Sequence, residues 1–184
     1  EAFSSRTVGE AISRRTLLAG AATAAGLAIA RRTEAAAPRA LALYHTHTQE
    51  RLRVTYAENG VHIPAALEEI NHFLRDFRTG DVHTIDPLLL DALHGLRDRA
   101  GGRGTYEIIS GYRSPRTNEM LRRTGGGGVA KRSLHMEGKA IDVRLTGVRT
   151  ARLRAEALAL GAGGVGYYPE SDFVHVDTGR VRQW

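Results

Sequence analysis

The sequence has no cysteine, which excludes thiolate catalysis, cysteine-ligated zinc, iron–sulfur clusters and disulfide cross-links. Lysine is nearly missing as well: among 26 basic residues only Lys131 and Lys139 are lysine, and the arginines are scattered rather than blocked. Aromatic residues make up 6%, with one tryptophan, and no basic stretch is interleaved with them. A specific nucleic-acid surface needs such a stripe, so nothing beyond weak non-specific attraction to polyanions is expected. The composition that remains, 42% hydrophobic and 25% charged over 184 residues, excludes a disordered tail and a multi-domain array. It describes one domain large enough to bury its own core. Any metal must be held by carboxylates and the 8 histidines.

The first residues read as an address. Ser13-Arg14-Arg15-Thr16-Leu17-Leu18 opens an uncharged run, Leu17–Ala30, of 14 residues rich in Ala, Leu and Gly. A bilayer-spanning helix needs about 20 residues, whereas a signal h-region needs fewer. Paired arginines directly before a mildly hydrophobic run are the signature of twin-arginine export. Ala35-Ala36-Ala37 supplies small residues for cleavage, with Pro38 a poor neighbour for a scissile bond. Cutting after Ala35 or Ala36, or retention as a membrane tether, both fit. Residues 1–37 are thus expected to be a signal peptide and 38–184 the functional domain, exported or periplasmic. Removing the leader takes away five Arg and three Glu and lowers the net charge from +6 to +4.

Along the domain, Leu41–Tyr44 and Leu52–Tyr56 read as a hairpin around the polar His45–Arg51. Ile63–Phe77 has apolar residues at helical spacing behind Pro64. Asp86 and Pro87 read as the N-cap and first residue of a second helix carrying Leu89, Leu90, Leu93 and Leu96. Thr105–Ile109 reads as a strand and Ser114–Leu121 as a short helix, followed by the flexible run Gly125–Gly128. That run lacks the Lys-Ser/Thr of a phosphate-binding loop. Ala140–Leu145, Gly164–Tyr168 and Phe173–Asp177 read as strands, and Arg149–Leu160 as a helix. Irregular alternation of this kind predicts an α+β domain with a small antiparallel sheet flanked by helices.

The chemistry concentrates in Ser133-Leu134-His135-Met136-Glu137-Gly138-Lys139-Ala140-Ile141-Asp142 and in Asp172-Phe173-Val174-His175-Val176-Asp177. Antiparallel pairing of the two strands would bring His135, Asp142 and His175 together, and two imidazoles with one carboxylate make an open zinc site. The pattern Ser-x-His-x-x-Gly-x-Ala-x-Asp with a late His-x-Asp resembles the zinc-dependent D,D-peptidases of the M15 family. With Ile109–Ser114 and Gly163–Pro169 added, the chain is similar to the murein endopeptidase K subgroup, from about Arg39 to Trp184.

That resemblance implies the D-Ala-D-Ala carboxypeptidase-like (hedgehog/D,D-peptidase) fold, with one Zn2+ on His135, Asp142 and His175. It implies peptidoglycan as the substrate and a D,D-endopeptidase activity on stems or cross-links. Relatives in the family use a Glu three residues before the last His as general base, a position held here by Asp172, which has the same chemistry but a shorter reach; Glu137 and Asp177 are rivals, and Asp177 could instead orient an imidazole. Arg113, in the Gly-Tyr-Arg-Ser turn, is expected to meet a substrate carboxylate or oxyanion. Ser133 and Tyr168 are expected to line the pocket. Two His and one Asp also suit other first-row metals. A D,D-carboxypeptidase or dipeptidase, and a zinc-stabilised wall-binding module without turnover, are the alternatives. For His45 with His47, and for His72 with Asp76, the ordinary reading is satisfied core or surface groups rather than a second metal site.

Overall fold

The computed structural model describes residues 36–124 and 129–184, so residues 1–35 of the expected signal peptide and the run Gly125–Gly128 lie outside the described residues. The described residues fold around one sheet. Strands β1 (Arg39–His45) and β2 (Arg51–Glu58) form the expected hairpin, and β2 continues into the short β3 (Val61–His62). Helices α1 (Pro64–Phe73) and α2 (Pro87–Arg99) follow, then β4 (Tyr106–Ser110) and α3 (Pro115–Thr124). A 3-10 turn at Leu134–Glu137 leads into β5 (Ala140–Leu145), α4 (Thr150–Leu160), β6 (Gly164–Tyr168), β7 (Phe173–Asp177) and β8 (Arg182–Gln183).

The α+β class holds, but the sheet is larger than the sequence suggested, with eight strands in the order β3-β2-β1-β4-β5-β7-β6-β8. It is also mixed. β4 runs parallel to β1 and β8 parallel to β6, while the remaining pairs are antiparallel. The first parallel pair follows from connectivity: β2 takes one edge of β1, and the chain returns to the other edge only after α1 and α2, the helical crossover that parallel neighbours require. The two-residue strands β3 and β8 carry too few residues for an alternation to be read from sequence.

Period-two alternation sorts the side chains. Leu41 and Leu43, Tyr106 and Ile108, Ile141 and Val143, and Val174 and Val176 are buried in the core with Ile70, Leu89, Leu93, Leu96 and Leu153 from the helices. Asp142, His175 and Asp177 fall at the intervening positions, on the other face of the sheet. α2 starts as read, with Asp86 Oδ1 accepting from Leu88 N at 3.0 Å. α1 stops at Phe73 rather than running to Phe77, because Asp76 is used elsewhere: its carboxylate accepts from Arg78 N and Ser114 N. Among the described residues no helix is long and apolar enough to cross a membrane.

Candidate metal centre

β5 and β7 pair antiparallel with Asp142 directly opposite His175, so register alone sets carboxylate and imidazole side by side. His135 arrives from the 3-10 turn. That turn is closed by Gly138, whose φ of +66° favours glycine and where a Cβ would collide with the Thr84 carbonyl. Its N-cap is Ser133, whose Oγ accepts from His135 N at 3.4 Å. The His-x-x-Gly spacing is therefore a backbone requirement for delivering the imidazole.

Each imidazole is fixed from behind. His135 Nδ1 donates to Gly111 O at 2.8 Å, which leaves Nε2 with its lone pair. His175 Nε2 donates to Asp177 Oδ2 at 3.1 Å, which leaves Nδ1 with its lone pair. These two free nitrogens face each other at 3.3 Å, and Asp142 Oδ1 lies 2.9 Å from His175 Nδ1 and 3.3 Å from His135 Nε2. With both imidazoles in these neutral tautomers, three electron-pair donors converge with no donor hydrogen among them. Ligand arms of about 2.0–2.1 Å meeting at tetrahedral angles have an edge of about 3.3 Å, so the spacing suits a first-row cation. His135, Asp142 and His175 form the one group of this kind among the described residues.

The field at this point favours positive charge. Burial opposes a charged His175, yet Asp142 and Asp177 hold its pKa above the ordinary value. Burial likewise favours a neutral Asp142, but His135 and His175 keep its carboxyl well below the usual range. Asp177 is fully buried and also depressed, burial being outweighed by His175, Arg182 and the Gly164 and Gly179 amides. Its Oδ1 accepts from Gly164 N at 2.9 Å and Gly179 N at 2.8 Å, and its Oδ2 from Arg182 Nη2 at 2.7 Å.

The group opens onto a cleft of about 640 Å³. Arg113, Ser133 and Tyr168, the three expected pocket residues, all line it, together with Phe173, Arg182 and Trp184. Arg113 is mostly buried, with Nη2 3.7 Å from Asp142 Oδ2 and a buried Nε that has no partner. Burial lowers its pKa against the opposing pull of Asp142.

The expected base is not brought to this point. Asp172 Oδ1 accepts from Thr150 Oγ1 at 2.7 Å and Oδ2 lies 3.6 Å from Arg144 Nη1, on a separate cavity of about 530 Å³. The reason is its position, three residues from His175 and just before β7, with a left-handed φ of +49° that turns it toward the start of α4. Glu137 is exposed and paired with Lys139 at 2.9 Å. Asp177, the third candidate, holds His175 instead.

Four contributors were not read from the sequence. Asp76 is not paired with His72 but is buried, and its Oδ2 accepts from Ser114 N at 2.8 Å, anchoring the turn that carries Arg113. Gly111 packs so tightly that a Cβ would lie 2.6 Å from Leu74 O. Arg182 and Trp184 close the cleft beside His175. Only the local Gly-Tyr-Arg-Ser string hinted at the first two, since such contacts join residues far apart in sequence. His45 is buried too, and its Nδ1 accepts from His47 N at 3.2 Å, so it organises the β1–β2 turn.

Two fixed imidazoles and a carboxylate, open on one side to a substrate-sized cleft, make the donor set of a mononuclear metal centre. The chain belongs to the Peptidase M15_2 family: the model described as peptidoglycan L,D-endopeptidase MepK matches residues 33–184. The peptidoglycan L,D-endopeptidase MepK of Escherichia coli K12 is 42% identical over 176 residues, covering 93% of this chain and 96% of that one. The probable peptidoglycan L,D-endopeptidase MepK of Haemophilus influenzae is 44% identical over 148 residues, covering 80% and 79%. These relatives carry an L,D designation, whereas the resemblance read from motifs implied D,D.

Proposed function

We propose that this chain is a zinc-dependent murein endopeptidase that hydrolyses an L,D peptide bond in peptidoglycan, acting outside the cytoplasm during wall remodelling. The observation that carries the reading is the convergence of His135 Nε2, Asp142 Oδ1 and His175 Nδ1 beside a cleft. The L,D bond is preferred over the D,D bond because the relatives are so named. Export follows from the substrate and from the twin-arginine pattern at Arg14-Arg15.

His135, Asp142 and His175 would hold the ion, which when bound supplies Lewis-acid polarisation of the scissile carbonyl and acidification of the attacking water. The protein's own groups do the rest. Gly111 O and Asp177 Oδ2 each accept an imidazole proton on the side away from the cleft, so that in the neutral tautomers both remaining ring nitrogens turn their lone pairs toward Asp142. Arg113 presents a fixed guanidinium on the cleft side of Asp142, suited to a stem-peptide carboxylate or to charge developing on the carbonyl oxygen. Ser133 fixes the His135 backbone rather than acting as a nucleophile. Asp172, bound to Thr150 and Arg144, serves the start of α4 in this conformation and is not assigned the proton-transfer role.

The test is digestion of purified muropeptides containing either L,D or D,D linkages, with and without chelator. Chelator-sensitive cleavage of the L,D bond is expected. Cleavage confined to D,D bonds would reinstate the motif-based assignment, and release of only a terminal residue would point to a carboxypeptidase. Zinc retention and sacculus binding without any peptide release would leave a wall-binding module.

A further inference from the structure

Trp184 lies against β6 and beside His175. Its backbone N donates to Val165 O at 3.2 Å, and its carbonyl accepts from Tyr167 N at 3.1 Å. The indole rests on Gly166, where a Cβ would come within 2.7 Å of the ring, and its centroid is 5.2 Å from that of His175. Arg182 sits over the ring at 4.9 Å, while its guanidinium also holds Asp177. Glycine at 166 is thus the condition for the indole to lie flat here. The polar edge is used as well: Nε1 donates to Tyr168 Oη at 2.9 Å.

An indole N–H can only donate, so Tyr168 must spend an oxygen lone pair on it and keep its own proton for another acceptor. The phenol ring is stacked on Phe173 at 4.5 Å, which fixes its plane, and the residue lines the same cleft as Arg113. We propose that Trp184 is a positioning residue that orients the Tyr168 hydroxyl as a hydrogen-bond donor into the cleft, where it meets the carbonyl oxygen of the scissile or adjacent peptide. Arg113 and Tyr168 then approach the substrate carbonyl from the protein side. The substrate assignment rests on the peptidase reading; the orientation of the hydroxyl does not.

Trp184 is the single tryptophan of the chain, so the tryptophan emission comes from this position alone. The experiment compares the full chain with Trp184→Phe, Tyr168→Phe and the double variant, each checked for bound zinc. A donor to developing charge is worth about 10- to 100-fold in rate. Trp184→Phe and Tyr168→Phe are each expected to lower kcat on muropeptides by about that factor, with KM changed less than about threefold and zinc content unchanged. The double variant should be no slower than Tyr168→Phe, and Tyr168→Phe should shift the Trp184 emission. Effects that multiply in the double variant, a change confined to KM, or an emission unaltered by Tyr168→Phe would each overturn the proposal. If the wild-type chain releases no peptide, the peptidase reading fails, and the emission comparison still decides whether Trp184 holds the hydroxyl.

Discussion

Replacing Asp177 with Asn changes one atom in a group that is fully buried, and the structure specifies what that atom was doing. Oδ1 accepts from Gly164 N, Gly179 N and Arg182 Nη1, contacts that the amide oxygen of Asn can keep. The new NH2 then occupies the Oδ2 position, facing His175 Nε2 at 3.1 Å and Arg182 Nη2 at 2.7 Å, so that donors meet donors. His175 can relieve its half of the conflict by moving its proton to Nδ1, the nitrogen that faces His135 and Asp142. That tautomer has no lone pair for a metal. Loss of such an orienting carboxylate typically weakens metal binding by about 10- to 100-fold, or about 1.4–2.8 kcal/mol. Leaving the Arg182 end unsatisfied costs a further 1–3 kcal/mol or about that in folding stability. Zinc titration against a competing chelator, with circular dichroism to confirm the fold, measures the first quantity. Affinity within about twofold of wild type in a folded Asp177→Asn protein would refute the tautomer argument.

Removing a true general base costs about 10²–10⁴-fold, whereas Asp172→Asn is expected to leave kcat within about threefold, because the carboxylate faces Thr150 and Arg144. A hundredfold loss with zinc retained would return the base role to Asp172. Burial would raise the pKa of Asp76, but hydrogen bonds from Thr117 and Ser114 and the Ser114 and Arg78 amides outweigh it and hold the pKa below the ordinary value. Its contribution to stability is therefore complete above about pH 4 and lost as pH falls through the lower folded value. Asp76→Asn should cost about 1–3 kcal/mol at neutral pH and flatten the acid limb of a denaturation series; an unchanged acid limb would count against it. Gly138→Ala should lose zinc binding and about 2 kcal/mol or more of stability, since it adds left-handed strain and a clash with Thr84. Normal zinc affinity in that variant would contradict the role given to the turn.

Much of the fold was legible because its signals are local. The alternation in Ala140–Leu145 and Phe173–Asp177, and the Asp86-Pro87 helix start, need only neighbouring residues and were met by β5, β7 and α2. The parallel placement of β4 beside β1 was not legible, since it depends on how α1 and α2 return the chain across the sheet. At the centre, His135, Asp142 and His175 were readable because the strand register that unites them is implied by two short motifs. The placement of Asp172 away from His135, Asp142 and His175 was not legible, because sequence spacing says nothing of a left-handed φ just before β7. Asp76 and Trp184 were passed over because their partners lie 38 and 16 residues away in the chain. Such contacts have no periodic signature.

The most direct measurement is metal reconstitution of the chelated protein, following zinc content and peptide release from L,D-linked muropeptides together. Activity should return in step with one zinc ion per chain, and His135→Ala should neither retain the ion nor recover cleavage. Full cleavage by metal-free protein, or by His135→Ala, would contradict the assignment of His135, Asp142 and His175 as the metal centre on which hydrolysis depends.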